Sequence, residues 1–322
     1  GRKEFFPLSE RIIRHDLDAN DRMFLFKYRK RLDTLLGKIR PDFTVTVCDN
    51  SLYALTRCTD GSVKVGEFHF SHEKFLMKYG NNVFGRMYAS LRTRRLENAV
   101  RKLDRFVVLT MADKEDWEKV RPDVEQIYNP LSFVSQDVSP LTAKRCMAAG
   151  RLEGQKNFKD LITAWQTVSA RHPDWTLSIY GNGSQREALQ SQINSAGLQG
   201  KVILEGNTNN VRKEMLDSSC LVMSSRFEGF PMILLEALTT GLPIVSYDCP
   251  KGPSEVVTIG ANGYLAKVGD TATLAQGICS VIANEDLRRR FGAESKRRSE
   301  NFTLEKTMEK WDNLFKSCQS KA

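Results

Sequence analysis

Residues 220–241 read CLVMSSRFEGFPMILLEALTTG, and this stretch decides the predicted fold. The apolar run Cys220–Ser225 is typical of a buried strand, and the apolar segment after Pro231 is typical of a helix. Pro231 suits the first helical position, and Gly241 suits the position just past the helix end. A buried strand that leads through a short turn into a helix is the repeating unit of parallel, doubly wound sheets.

The same alternation of strands and helices extends in both directions from this stretch. After residue 140, strands are predicted at 145–149, 176–180, 201–205, 220–225, 243–247 and 264–266. Helices are predicted there at 158–171, 185–196, 211–218, 231–240 and 271–283. Before residue 140, strands are predicted at 43–48, 63–70, 105–109 and 124–128, and helices at 21–39, 84–103 and 112–120. This pattern predicts an α/β protein with two doubly wound, Rossmann-like domains.

The predicted domains are residues 1–140 and 141–302, followed by a separate helical segment, 303–322. The polar segment 129–140 contains two prolines and is the predicted hinge. A doubly wound domain should open with a hydrophobic strand and a glycine-rich turn, whereas residues 1–7 read GRKEFFP. We therefore expect an N-terminal domain without its first strand–helix–strand, either because those elements lie outside this sequence or because the domain is atypical.

The positive charge of the chain is concentrated in its first half. Of the formal net charge of +9, residues 1–145 carry +7. Two basic stretches, 27–31 and 92–95, lie in helix-like segments with interleaved apolar residues. Such segments suit either an anionic membrane surface or a solvated helix face. No nucleic-acid-binding motif is recognised, so we expect no nucleic-acid partner.

The composition indicates a cytoplasmic protein. No run of about 18 apolar residues predicts a transmembrane helix, and no signal peptide is recognised. The seven cysteines are odd in number and scattered, which is typical of reduced thiols. We expect a cytoplasmic location, with the basic N-terminal domain as the part that would place the protein peripherally at the inner face of the plasma membrane.

Cations, glycines and carboxylates follow separate predicted strands of the second domain. These residues are Arg151 and Lys156, then Gly181 and Gly183, then the pair Glu228 and Glu236. Loops at the carboxyl ends of parallel strands converge on one crevice. Cations and a helix N-terminus suit a diphosphate, and carboxylates suit sugar hydroxyls. The conjunction predicts a sugar-nucleotide site, although each group alone also fits a surface cation, a tight turn, a helix cap or core packing.

His69 is the candidate on the first domain. It ends a strand-like run. At this position it either faces the cleft as a hydrogen-bond partner for a substrate hydroxyl or has a purely structural role. A zinc site at His69 and His72 is disfavoured, because no further ligand stands at a suitable spacing. Asp16 and Asp18 are interpreted as a surface turn that caps a helix, so no metal site is predicted.

The motifs together resemble those of retaining glycosyltransferase family 4, of the kind that builds bacterial surface polysaccharides or lipopolysaccharides. The resembling residues are Gly150–Leu152 with Lys156, Tyr180–Gly183, Glu205–Gly206, Glu228–Ala237, Gly241–Val245, Asp248–Glu255 and Asn262–Gly263, with weaker matches at Glu67–His69 and Ile127–Pro130. The spaced glutamates, Glu228 and Glu236, match that family's E-x7-E motif. The resemblance covers most of residues 145–300.

The resemblance implies the GT-B fold and sugar transfer with retention of configuration, without a metal or other cofactor. Arg151 and Lys156 would bind the diphosphate, Glu228 the donor sugar and Glu236 the ribose. Gly181, Gly183 and the backbone of Gly229, Phe230, Pro231 and Met232 would also contact the donor, and His69 would contact the sugar from the other domain. Residues 304–317 would form a helix that crosses back to the N-terminal domain.

The expected partners are a nucleotide sugar, with uridine diphosphate (UDP) as the expected nucleotide, and a glycan or lipid-linked acceptor. Two alternatives remain open on the sequence. One is a nucleotide-sugar epimerase of the same fold, and the other is a module that binds nucleotide sugar without transferring it.

Overall fold

The computed structural model describes residues 9–17, 24–47 and 49–319. The opening residues 1–7, Asp18 and Cys48 lie outside this range, and so do the predictions made for them. Within it, the strands form two parallel sheets, one of four strands and one of six. The prediction of an α/β protein with two doubly wound parts is confirmed.

The four-stranded sheet has the order β1-β2-β3-β4. Its strands are β1 Phe43–Thr46, β2 Val63–Phe68, β3 Arg105–Val108 and β4 Val124–Gln126. Its helices are α1 Phe24–Ile39, α2 Asp49–Leu55, α3 Lys74–Tyr79, α4 Val83–Val100 and α5 Met111–Glu118. The central strands β2 and β3 are largely buried, because helices pack on the sheet as expected for parallel strands.

The six-stranded sheet has the order β10-β9-β8-β5-β6-β7. Its strands are β5 Arg145–Ala149, β6 Thr176–Tyr180, β7 Val202–Gly206, β8 Cys220–Met223, β9 Ile244–Tyr247 and β10 Gly263–Ala266. Its helices are α6 Phe158–Arg171, α7 Arg186–Ser195, α8 Val211–Leu216, α9 Met232–Thr239, α10 Pro253–Val256, α11 Thr271–Ala283 and α12 Glu285–Ser299. The last helix of the chain is α13 Leu304–Gln319.

The order of this sheet creates a switch point beside β5. The chain leaves β5 for β6 and β7 on one side, and then returns to β5's other side to form β8. In open parallel sheets, ligands bind in the crevice beyond the carboxyl ends of strands at such a reversal. The loops after β5 and β8 therefore flank the position where a ligand is expected.

Helix α6 shows why hydrophobic periodicity predicted most of these elements. Its buried apolar residues are Phe158, Leu161, Ile162, Ala164, Trp165 and Val168, and their three- and four-residue spacing places them on the helix face that meets the sheet. Its predicted bounds, 158–171, are the observed ones.

Four helices were not predicted: α2, α3, α10 and α12. The first two and α10 are only four to seven residues long, too short to show a helical period. Helix α12 has 15 residues, of which nine are charged. It is held by an Asn284 side chain that accepts a hydrogen bond from Leu287 N and by Phe291, its one fully buried large apolar side chain.

Helix α13 packs against the four-stranded sheet. Trp311 and Leu314 lie in one apolar cluster with Val65, Val107 and Ile127. Thr307 Oγ1 also donates a hydrogen bond to the Tyr128 carbonyl at 3.2 Å. Helix α13 therefore contributes to the apolar core of the first half of the chain, beneath the four-stranded sheet.

Two side chains of the second half bind the start of α5 in the first half. Glu255 accepts hydrogen bonds from the Met111 and Ala112 amides at 3.1 and 3.2 Å, and from Tyr128 Oη at 2.7 Å. A carboxylate at a helix N-terminus satisfies amides that have no partner within the helix. Lys251 Nζ adds an ion pair with Asp116 at 2.6 Å.

The described residues contain no helix long and apolar enough to cross a membrane. All cysteines that the structure describes are free, and most of them are buried.

We predict that Trp311→Ala lowers the free energy of unfolding by about 3–5 kcal/mol, because it removes a large buried side chain and leaves a cavity. Urea denaturation followed by circular dichroism measures the loss. Met308→Ala on the same helix is the matched control, since Met308 is 44% exposed and its truncation should cost less than about 1 kcal/mol. Equal losses in the two variants would contradict the packing role of α13.

Candidate functional site between the two sheets

The loop after β5 and the loop after β8 are joined by several hydrogen bonds. Gln155 Nε2 donates to the Phe227 carbonyl at 3.0 Å, and the Arg226 amide donates to the Gln155 carbonyl at 2.9 Å. Ser224 Oγ donates to the Lys156 carbonyl at 2.9 Å. These bonds span the switch point, so the positions of the charged groups on both loops depend on one another.

Lys156 and Glu228 form an ion pair at this junction. Lys156 Nζ lies 2.6 Å from Glu228 Oε1, and the two side chains are 19% and 10% exposed. At this distance each group restricts the rotamers of the other, and the largely buried charges are compensated. The sequence analysis assigned the two residues to different parts of a donor, whereas the structure brings them into direct contact.

Gly150 makes this arrangement sterically possible. A Cβ atom on Gly150 would lie 2.9 Å from Lys156 Cε, closer than such contacts allow. The stem of Lys156 therefore passes over a residue without a side chain on its way to Glu228.

Gly181 and Gly183 follow β6, as predicted, and pack against the loop after β5. Added Cβ atoms would lie 1.9 Å from the Gly150 carbonyl oxygen and 2.5 Å from the Leu152 carbonyl oxygen. The amides of Gly150 and Leu152 donate to the Tyr180 and Asn182 carbonyls, both at 2.9 Å. These two glycines are required by the contact between the loops themselves, and their role in donor binding stays a prediction.

Helix α9 begins one residue later than predicted. Met232 is its first residue and Pro231 is the residue before it. Pro231 packs against Gly252, where an added Cβ would lie 2.4 Å from Pro231 Cδ. Phe230 is 7% exposed and stacks on Tyr128 with ring centroids 5.2 Å apart. The Phe230 ring thus serves the core, which the sequence analysis held open as an alternative.

Glu236 lies on α9 and faces the predicted hinge segment. Ser132 Oγ donates a hydrogen bond to Glu236 Oε1 at 2.7 Å. Burial raises the pKa of Glu236, and the bond from Ser132 acts in the opposite direction. A hydroxyl of a bound ribose would have to share this carboxylate with Ser132.

On the facing side, His69 directly follows β2. Its Nε2 atom lies 3.2 Å from Glu67 Oε1, and the side chain is 37% exposed. The His69 backbone touches the loop after β8, since a Cβ on Gly229 would lie 2.0 Å from the His69 carbonyl oxygen. The two halves of the chain therefore meet at His69 and Gly229.

His72 has a different environment from His69. Its Nε2 atom lies 3.1 Å from Glu97 Oε1, and its ring packs edge-on against Trp117 with centroids 4.8 Å apart. These contacts give His72 a structural role in the first half of the chain.

A cavity of about 910 Å³ lies between the two halves. Six residues named from the sequence line it: His69, Arg151, Glu228, Gly229, Phe230 and Met232. Lys156, Gly181, Gly183, Pro231 and Glu236 are not among the lining residues; Lys156 reaches the cavity wall through Glu228. The structure thus brings His69 into the same cavity as Arg151 and Glu228, and the roles assigned to these residues stay predictions.

The cavity also has lining residues that the sequence analysis missed or assigned elsewhere. Lys74 and Lys78 lie on α3, a helix that was not predicted, and Asn129 follows β4. Arg92 was grouped with a basic stretch for a membrane or solvent, but it lines the cavity, whereas Arg95 lies over the Tyr53 ring at 4.8 Å. The density of basic residues in the sequence could not tell which of the two arginines lines the cavity, because the orientation of each side chain depends on the packing of α4.

Comparison with known proteins identifies the family. The sequence profile of glycosyl transferases group 1 matches residues 135–298, which is half of the chain. The chain belongs to this glycosyltransferase family. The matched region contains both donor-side loops, helix α9 and the whole six-stranded sheet.

Two relatives illustrate the range of similarity. An uncharacterized glycosyltransferase of Haemophilus influenzae is 27% identical over 321 residues, which cover 98% of this chain and 88% of the relative. A lipopolysaccharide 1,6-galactosyltransferase of Salmonella typhimurium is 33% identical over 172 residues, covering 51% of this chain and 47% of the relative. The chain thus spans nearly all of one relative and about half of the other.

The fold is also that of solved glycosyltransferases. A variant of TarM from S. aureus, crystallised with fondaparinux, alpha-GlcNAc-glycerol and UDP, superimposes with a TM-score of 0.76 at 24% identity. The match covers 89% of this chain and 58% of TarM. This likeness shows the GT-B fold that the sequence predicted.

We predict that Gly229→Ala pushes the two halves of the chain apart, because the new methyl group would overlap the His69 carbonyl. Thermal unfolding should show a loss of about 1–3 kcal/mol, and small-angle scattering should show a larger radius of gyration. Gly37→Ala is the control, since Gly37 lies in α1 with no atom near its added Cβ and should gain about 0.5–1 kcal/mol. An unchanged radius and stability in Gly229→Ala would contradict the contact.

Proposed function

We propose that this protein is a retaining, metal-independent glycosyltransferase of family 4. It transfers a sugar from a UDP-sugar to a glycan or lipid-linked acceptor in the synthesis of a surface polysaccharide or glycolipid. The observation that carries the proposal is the ion pair of Lys156 and Glu228 at the switch point, with Arg151 beside it and His69 across the cavity. The family match and the similarity to the lipopolysaccharide 1,6-galactosyltransferase of Salmonella typhimurium support it.

In this proposal, Arg151 and Lys156 stabilise the departing nucleotide. The bond between the sugar and the diphosphate breaks, and negative charge develops on the diphosphate oxygens. The acceptor hydroxyl supplies the oxygen of the new bond, and its proton balances the charge of the released nucleoside diphosphate. Preorganised cations and the N-terminus of α9 stabilise this charge without reorganisation, which is the work a metal ion does in other transferases.

The remaining predicted residues position the donor. Glu228, held by Lys156, accepts hydrogen bonds from sugar hydroxyls, and Glu236 accepts them from the ribose. His69 approaches the sugar from the other half of the chain, while the Gly229–Met232 backbone lies beside the sugar and phosphate. Gly181 and Gly183 keep the Arg151 loop in place.

Donor binding and transfer are measured with a panel of nucleotide sugars. A UDP-sugar should raise the melting temperature of the wild-type protein and release UDP in the presence of acceptor. We predict that Lys156→Met and Glu228→Gln each lower the rate of UDP release by about 100-fold or more, since one preorganised group is lost. Lys144→Met is the matched control, because Lys144 pairs with Asp174 on the surface and is 61% exposed.

Several outcomes would refute parts of this proposal. Unchanged UDP release in the two site variants would refute the residue roles. Conversion of the donor to an isomer without acceptor would instead identify an epimerase, and tight donor binding without turnover would identify a binding module. The anomeric configuration of the product, read by NMR, tests retention.

We also propose that the protein acts at the inner face of the plasma membrane and binds it through α4. Phe84, Met87 and Leu91 recur at helical spacing and are 83%, 66% and 67% exposed, and exposed Arg86 and Arg94 lie on the same helix. An apolar stripe with flanking cations suits an anionic bilayer surface.

The membrane proposal is tested by co-sedimentation with phosphatidylglycerol-containing vesicles. The double variant Phe84→Ser and Met87→Ser should bind at least about fivefold less, because apolar burial contributes most of the interfacial affinity. Ile259→Ser is the control, as Ile259 is 63% exposed on the other half of the chain. Equal sedimentation of both variants would exclude α4 as the contact.

A further inference from the structure

The cavity between the two halves carries more positive charge than a nucleotide donor requires. Its charged lining consists of Lys74, Lys78, Arg92 and Arg151 against one carboxylate, Glu228. That carboxylate is already paired with Lys156, which lies behind the wall. The lining therefore has a net positive charge that no lining carboxylate offsets.

The cations divide between the two halves of the chain. Arg151 belongs to the donor loop after β5, whereas Lys74, Lys78 and Arg92 come from α3 and α4. In the proposed function, Arg151 and Lys156 serve the diphosphate of the donor. Lys78 of α3 and Arg92 of α4 also line the cavity and have no part in donor binding in that proposal, so these two cations are available to a second ligand.

Aromatic rings fix these two cations. The Arg92 guanidinium lies 4.8 Å from the Phe75 ring centroid, and its Nη1 donates to Tyr88 Oη at 3.1 Å. Lys78 Nζ lies 5.2 Å from the Tyr79 ring centroid. Cation–π contacts orient a charge without neutralising it. Among the described residues, neither Arg92 nor Lys78 forms an ion pair, and the buried Arg92 Nε has no hydrogen-bond partner.

From this arrangement we infer that the α3–α4 wall is an acceptor subsite for a phosphate ester, in which Arg92 and Lys78 bind the phosphate. The inference rests on the proposed function, since it names the acceptor of that same site. A guanidinium fork and an ammonium group match phosphate oxygens. Phe70, 48% exposed in the same wall, offers an apolar face to the carbon chain or ring that carries the phosphate. The acceptor class is therefore a phosphorylated polyol or sugar unit.

The test compares two soluble probes with the same number of glycerol units, a glycerol phosphate tetramer and uncharged tetraglycerol, by isothermal titration calorimetry on the full chain. The wild-type protein should bind the phosphate tetramer at least about tenfold more tightly, and added salt should weaken binding because it screens the charges. Arg92→Gln and Lys78→Gln should each lower this affinity about tenfold, or roughly 1.4 kcal/mol. UDP affinity, measured in parallel, should stay unchanged.

Two further variants control for folding and for general charge. Arg92→Lys keeps the charge and should restore part of the affinity that Arg92→Gln loses. Arg101→Gln removes an exposed arginine at the C-terminal end of the same helix, outside the cavity, and should bind the tetramer like the wild type.

Each remaining outcome separates the inference from its alternatives. Wild-type affinity in Arg92→Gln and Lys78→Gln, or equal binding of the two probes, would overturn it. A parallel fall in UDP affinity in Arg92→Gln and Lys78→Gln would assign these cations to the donor and would also overturn the inference. If these variants lost binding to phosphatidylglycerol vesicles but kept their affinity for the tetramer, the inference would be overturned as well. If the wild type fails to bind UDP while the tetramer results hold, the proposed function fails and the phosphate subsite stands.

Discussion

The arrangement of the site depends on the position of β5, which pairs with β6 on one side and with β8 on the other. This reversal forces the loops after β5 and β8 to diverge and leaves a crevice between their strand ends. Lys156 and Glu228 then bridge it, and Gly150 gives the lysine stem its path. The ion pair is a consequence of sheet order, since the two residues are 72 positions apart in the chain.

The relative position of the two halves rests on polar and backbone contacts around α5 and His69 and on the aromatic stacking of Phe230 on Tyr128. Glu255 and Lys251 bind the start of α5, and Gly229 meets His69 with no room for a side chain. Polar contacts between halves of a chain exchange readily with water, whereas the apolar attachment of α13 is buried. The two halves are thus joined both by polar contacts and by buried apolar side chains.

The loops and the helix that line the cavity on the side of the six-stranded sheet could be predicted from the sequence because their signals are local. Strand, turn and helix follow one another within about twenty residues of β8, and the first residue of α9 was misplaced by one position only. The contacts of Glu236 with Ser132 and of Phe230 with Tyr128 could not be foreseen, because both partners lie more than 100 positions away. Helix α12 was missed because its sequence has no apolar stripe, although one face of the helix is buried in the structure.

The charge of the α3–α4 wall depends on side-chain orientations that no short motif specifies. Arg92 and Arg95 are one turn apart in a single basic stretch, yet α4 turns one into the cavity and the other onto Tyr53. Which arginine faces the cavity depends on how α4 packs on the sheet and on α3, a six-residue helix without a period of its own. The charged groups beside the six-stranded sheet are thus positioned by its strand-end turns, whereas the charge of the α3–α4 wall depends on helix packing. Helix surfaces tolerate substitution more readily than close-packed glycine turns, so the charge of the α3–α4 wall can change while the turns of the six-stranded sheet stay the same.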